Sequence, residues 1–184
     1  MTEEMKLKDM EQISEFLNEL EIPAEVMKAG GWFDRGCVLI GLPTEEELDW
    51  DESLENLPED VHIVCGFVVQ LDQDSEEQLT KYFMMYAMIP TDLSSVDEVQ
   101  VLKLVNQMNK EIALGTFFYD ETTDYQGRNQ GGRVQFRHNI GVPVDGTWDE
   151  GVVCEAILEL GVYYDIMKER LEELVVSNSD KGKM

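Results

Sequence analysis

Residues 62–90 read HIVCGFVVQLDQDSEEQLTKYFMMYAMIP. Two apolar runs, 62–71 and 81–90, are rich in β-branched and aromatic residues and flank a polar DQDSEEQLT segment. That pattern predicts two antiparallel strands joined by a hairpin. Neither run alternates cleanly. Tyr82, Met84, Tyr86 and Met88 face one way, and Phe83, Met85, Ala87 and Ile89 face the other. A strand apolar on both faces needs cover on both faces.

Working upstream, CVLIGL at 37–42 is a short apolar run and predicts the first strand. Between it and the pair lies an irregular acidic stretch, 44–60, with Trp50 inside it. Pro23 and the pair Gly30–Gly31 punctuate the chain before it. Residues 7–20 repeat apolar side chains at helical spacing, through Leu7, Met10, Ile13, Phe16, Leu17 and Leu20.

Downstream, residues 95–114 predict a second helix. Ser94 or Ser95 suits its cap, and Asp97 and Glu98 suit its first turn. Val99, Leu102, Val105, Met108 and Ile112 form its expected buried stripe, and Gly115 its terminator. TFFYDET at 116–122 is the fourth strand, DYQGRNQGG turns the chain, and RVQFRHNI at 133–140 is the fifth. Here the alternation is clean. Val134, Phe136, His138 and Ile140 point inward, and Arg133, Gln135, Arg137 and Asn139 point outward.

Thr147 with Glu150 matches a capping box, and the helix it opens is expected to reach about Val175. Its apolar stripe runs through Val153, Ala156, Ile157, Leu160, Tyr164, Met167, Leu171 and Leu174. A helix of about 40 Å exceeds the span of a compact domain of this size. Part of it, around Leu160, Tyr163, Tyr164 and Met167, is therefore expected at a homodimer interface. The expected fold is one α+β domain over residues 1–175, an antiparallel sheet with helices in the order αβββαββα. A disordered tail is expected over 176–184.

Fourteen basic residues stand against 39 acidic ones, a net charge of −25. The acids crowd into residues 1–80, where only Lys6, Lys8, Lys28 and Arg35 are basic. Such a surface repels nucleic acid phosphates and anionic lipid, so neither is an expected partner. No run approaches the roughly 18–20 apolar residues of a membrane span. The N-terminal MTEEMKLKDMEQ is acidic where a signal peptide starts basic. Cys37, Cys65 and Cys154 are widely spaced and form no CxxC pair, which fits free thiols in a reducing cytoplasm.

Signatures of chemistry are missing. The two histidines, His62 and His138, sit on different predicted strands, and no HExxH or Cys/His cluster points to a metal. His138 reads as a core residue. Neither GxSxG, GxGxxG nor GxxxxGK[ST] occurs. The loop from Asp120 carries Tyr125 where a calcium loop needs glycine. Glu45, Glu46, Glu47, Asp49, Asp51 and Glu52 lie in a polar segment, where the unequal burial that acid–base pairs require is not expected. No catalytic residue, metal or cofactor is assigned. Two features remain. Arg133, Gln135 and Arg137 form an outward row that suits a partner's carboxylates, against the alternative of pairing with the chain's own acids. The methionines and tyrosines of 82–88 suit core packing, with an adaptable binding surface as the alternative.

The segment VLKLVNQMNKEIALGTFFYD (101–120), then a polar loop, GGRVQFRHNIGVP (131–143) and a long C-terminal helix, resembles the YbjN family of bacterial sensory transduction regulators. The match rests on Leu104-Val105-Asn106 with Asn109. It covers residues 95–175 by pattern and the first half by element order. The resemblance implies the type III secretion chaperone-like fold, a dimer and no known catalytic residues, with Asn106 and Asn109 structural. Together these observations predict a non-catalytic cytoplasmic module that binds a protein, as chaperone or regulator. The alternatives are an enzyme using carboxylates, with or without a divalent metal, and a purely structural oligomer.

Overall fold

The computed structural model describes residues 1–30, 35–42, 62–70, 79–123 and 129–181. The acidic stretch 44–60, most of the DQDSEEQLT connector, Gly31, Tyr125 and the last three residues lie outside the described residues. The elements are α1 (Glu3–Glu19), β1 (Ala24–Met27), β2 (Cys37–Gly41), β3 (Ile63–Val69), β4 (Thr80–Ile89), α2 (Glu98–Glu111), β5 (Thr116–Thr123), β6 (Asn129–Pro143) and α3 (Glu150–Lys181). They make an α+β fold with a six-stranded antiparallel sheet in the order β1-β2-β3-β4-β6-β5. The expected order is met except for one additional strand, β1.

The chain divides into two compact units, where the sequence reads as one domain. One unit comprises Met1–Tyr86 with His138–Gly161, and the other Ala87–Arg137 with Val162–Met184. No linker marks the division, because it falls inside the continuous elements β4, β6 and α3.

In the first unit, α1 starts four residues earlier than its apolar spacing indicates. Thr2 caps it, its hydroxyl accepting from Met5 N at 3.2 Å, and Glu3 and Glu4 fill the first turn. Its inner face is Met10, Ile13, Ser14 and Leu17. At its end Asn18 brackets Ala24. The amide donates to Ala24 O at 2.8 Å, and Ala24 N donates back to the Asn18 carbonyl at 3.0 Å. Ser14 Oγ also donates to Ala24 O, at 2.8 Å. These bonds hold β1 beside the helix, while β2 pairs with it from Ala24↔Ile40 to Met27↔Cys37. Four residues after a proline are too short to show a period, so β1 exists through tertiary pairing rather than local preference.

β3 and β4 resolve the two-faced pattern. Phe83, Met85, Ala87 and Ile89 are buried, Tyr82, Met84 and Tyr86 are half-buried, and Met88 is exposed. Lys81 is on the buried phase as well. Its ammonium donates to Asp9 of α1 at 2.8 Å and lies 5.4 Å from the centre of the Trp148 ring. A lysine enters a core only with such partners. Trp148 also meets Phe83 edge-on at 6.2 Å.

In the second unit, Asp97 rather than Ser94 or Ser95 caps α2, its carboxylate accepting from Val99 N at 2.9 Å. The buried stripe is Val101, Val105 and Met108, while Val99 and Leu102 are exposed. Apolar residues at 99, 101, 102, 104 and 105 permit two phases. Asn109 selects one: its amide donates to Phe117 O at 2.9 Å, and Phe117 N donates to its carbonyl at 2.8 Å. That clamp turns the face bearing Val101 and Val105 toward β5. Asn106, expected beside Asn109 in a structural role, is exposed and makes no such clamp among the described residues. Gly115 does not end α2, whose cap is the extended Ile112. It sits at φ 78° in the turn into β5, where a Cβ would fall 2.2 Å from the Phe136 ring.

The Asn109 clamp uses the Phe117 N–H and C=O that point away from β6. Replacing Asn109 by Leu leaves both groups without partners, each worth about 1–3 kcal/mol when part-buried. We expect a loss of about 2–4 kcal/mol in urea denaturation, against less than about 1 kcal/mol for Asn106→Leu.

Helix α3 opens at Asp149, not Thr147. The Asp149 carboxylate accepts from Val152 N at 3.0 Å, and Val153 N donates to Asp149 O at 3.0 Å. Its 32 residues give about 48 Å of helix, and it continues to Lys181, into the segment 176–184 expected to be a disordered tail. Val153, Ala156, Ile157, Leu160, Tyr164, Met167 and Leu171 are buried by the chain itself. The expected dimer interface is therefore corrected. Leu160, Tyr164 and Met167 have 0–1 % of their surface exposed and have none to give a second copy. Tyr163 is half-buried, packs on Phe136 at 6.1 Å and accepts from Ala113 N at 3.3 Å.

Candidate partner-binding face

The register of β5 on β6 sets the face. Arg137 lies opposite Thr116, Gln135 opposite Phe118, and Arg133 opposite Asp120. The next phase carries Phe117↔Phe136 and Tyr119↔Val134, with Phe117, Phe136 and Val134 buried. The Phe117 and Phe136 rings stand 4.7 Å apart and anchor the ladder. The outward assignment of Arg133, Gln135 and Arg137 thus holds: both arginines are exposed and Gln135 is half-buried.

Each guanidinium rests on a soft neighbour. Arg137 Cζ lies 5.9 Å from the centre of the Phe118 ring, and Arg133 Nη1 is 3.3 Å from Met88 Sδ. Neither is in an ion pair among the described residues, although Asp120 is the cross-strand neighbour of Arg133. By contrast, Arg170 on α3 pairs with Glu111 at 2.7 Å, and hydrogen bonds from Gln107 and then from Arg170 hold the Glu111 carboxyl below the usual range.

Beside Arg133 is a cavity of about 320 Å³ lined by Met88–Ser94, Gly132 and Arg133. Its wall is mixed. Ile89 and Leu93 are buried, while Asp92 and Ser94 are exposed. The Asp92 carboxylate accepts from Ser94 N at 2.9 Å, and the Ser94 backbone and hydroxyl hold its carboxyl below the usual range. This acid therefore serves its own turn. The cavity wall is not visible in the sequence, because it forms where the turn after Pro90 meets β6, two segments at least 38 residues apart. Phe118 and Asp120 were within reach: TFFYDET alternates with Phe118 and Asp120 on the outward phase.

Among the described residues, the other groups with shifted titration do not gather into a second site. Burial pushes the Cys37 thiol up to about 11, with Cys65 nearby adding to it, and burial raises Cys65 and Cys154 as well. All three are free, and raised thiols are poor nucleophiles. Among the described residues no three of His, Cys, Asp and Glu gather as metal ligands. Nor is any helix there long and apolar enough to cross a membrane.

His138 lies on the inward phase of β6, 9 % exposed. Burial lowers its pKa, and Glu159 partly opposes the shift. An unfolded histidine titrates near about 6.5, so on acidification the unfolded chain takes up this proton first. Stability is lost as pH falls through the unfolded value toward the lower folded one. We expect the wild type to lose more stability than His138→Gln between about pH 7.5 and about pH 5.5, read as the shift in urea midpoint.

No family model matches this sequence, and no curated protein matches it.

Proposed function

We propose that this chain is a non-catalytic protein-binding module, chaperone-like or regulatory, that grips its partner with the outward face of β5 and β6. The observation that carries the proposal is the pair Arg133 and Arg137, exposed and without an ion pair among the described residues in a chain of net charge −25. Unspent cations among so many acids are what carboxylate recognition needs. The YbjN-like, type III secretion chaperone-like assignment belongs to the same proposal. It is supported by the succession of α2 with Asn109, the β5–β6 pair and a long last helix. A cytoplasmic setting is supported by the three free cysteines, and the acidity disfavours nucleic acid and membrane surfaces. Any homodimer would have to use side chains other than Leu160, Tyr164 and Met167.

Affinity capture with mass spectrometry, wild type against the double variant Arg133→Ala and Arg137→Ala, tests the role. The expected result is a protein enriched by the wild type and lost by the variant. Melting should stay within about 2 °C, since exposed substitutions move stability by about 0.5 kcal/mol or less. An empty capture at low salt would overturn the binding role. A large loss of melting temperature would show that the arginines hold the fold instead.

A further inference from the structure

We propose that the partner segment recognised here is extended and acidic, with two carboxylates four residues apart and an apolar side chain midway. This inference rests on the binding role assigned above. It comes from the spacing of the face. Arg133 and Arg137 stand four residues apart on one strand and one phase, about 13 Å apart at the rise of a β-strand. An extended ligand has the same rise and the same two-residue period. Residues i, i+2 and i+4 of such a segment face the sheet together. Between the arginines, the Gln135–Phe118 pair offers an amide and an aromatic surface to the middle side chain.

The guanidiniums are suited to this use. Arg137 lies over the Phe118 ring and Arg133 leans on the Met88 sulfur, a weak acceptor. Among the described residues neither has a competing carboxylate bond, so engaging a ligand requires little rearrangement. The acids behind the net charge of −25 oppose an acidic ligand only weakly where they lie beyond a Debye length, about 8 Å at physiological salt. At the face itself the nearest acid by register is Asp120. An addition of the ligand's backbone to the β5 edge is disfavoured at Phe117, where Asn109 already holds the N–H and C=O. Side chains, not a new backbone ladder, therefore carry recognition.

The test is fluorescence anisotropy of the full chain with labelled synthetic peptides. One carries two glutamates four residues apart with a central leucine. A second has glutamines in their place, and a third has the glutamates three residues apart. The first should bind about tenfold or more tightly than either control, and Arg133→Gln or Arg137→Gln should each remove about tenfold. Asp120→Asn should strengthen binding a few-fold by removing the like charge opposite Arg133. Equal binding of all three peptides, or binding indifferent to both arginines, would overturn the inference. A captured partner lost by the double variant, together with no preference for the glutamate peptide, would overturn the acidic ligand and leave the binding role standing.

Discussion

Replacing Leu160 by Asp should unfold the chain, with a loss of about 5 kcal/mol or more. Leu160 is fully buried on α3, between Ile157 and Tyr164, which are buried as well. An aspartate there has no cationic partner on its own helix face and cannot reach water. Protonation relieves the charge but still leaves a carboxyl group in an apolar setting. Domains of this size have about 5–15 kcal/mol to lose, so most of the population leaves the native state. Leu158→Asp provides the comparison. It is two residues away on the same helix and about half exposed, so the change should be within about 0.5 kcal/mol. Tyr164→Asp should behave like Leu160→Asp, since Tyr164 is equally buried. Circular dichroism and urea midpoints read the outcome, and light scattering separates it from dissociation. A Leu160→Asp chain that melts normally but has half the wild-type mass would return this residue to an interface between copies.

The contrast between Leu160 as an interface and Leu160 as core shows what periodicity conveys. The stripe on α3 is correct from Val153 to Leu171, because burial on one side imposes the 3.6-residue period whatever lies against it. What covers the stripe is not written in the period. The overlength of α3 pointed to a second copy only on the assumption of one domain. The chain has two units, and α3 contributes Glu150–Gly161 to one and its remainder to the other. β6 was legible for the same reason that it carries the site: one wet face enforces strict alternation, which placed Val134, Phe136, His138 and Ile140 inside and both arginines outside. α2 was legible as a helix but not in phase, since its surplus of apolar residues fits two rotations. The bonds between Asn109 and Phe117 are formed across a turn; the structural role expected of Asn109 is met, but its partner was not named by the sequence. The partners of Arg133 were hidden likewise, because Met88 reaches it only through sheet pairing. The fold was thus readable wherever burial is one-sided. The site was readable in its charges but not in its surroundings.

Gly66 is the second position of large effect, and two-faced burial explains why. It lies in the middle of β3 on the buried phase, opposite Val38. A Cβ built there would fall 2.3 Å from the Phe83 ring, well inside contact distance. The absent side chain is what admits the ring, so glycine is required here for space and not for backbone freedom. Alanine has the better strand preference and should stabilise an open strand slightly. At this site the overlap dominates: either Phe83 leaves its rotamer or β3 shifts from β2, at about 1–3 kcal/mol or more. Phe83 cannot retreat easily, since it is fully buried and packed edge-on to Trp148. We expect Gly66→Ala to lose about 3 kcal/mol, or roughly 6 °C in melting temperature. The decisive measurement is the double-mutant cycle. Phe83→Leu alone opens a cavity and should destabilise by about 1–3 kcal/mol, but it makes room for the new methyl group. Gly66→Ala with Phe83→Leu should therefore be more stable than the sum of the single changes predicts, by about 1 kcal/mol or more. Strict additivity would mean that the methyl group meets no ring, and that Gly66 is set by something other than Phe83.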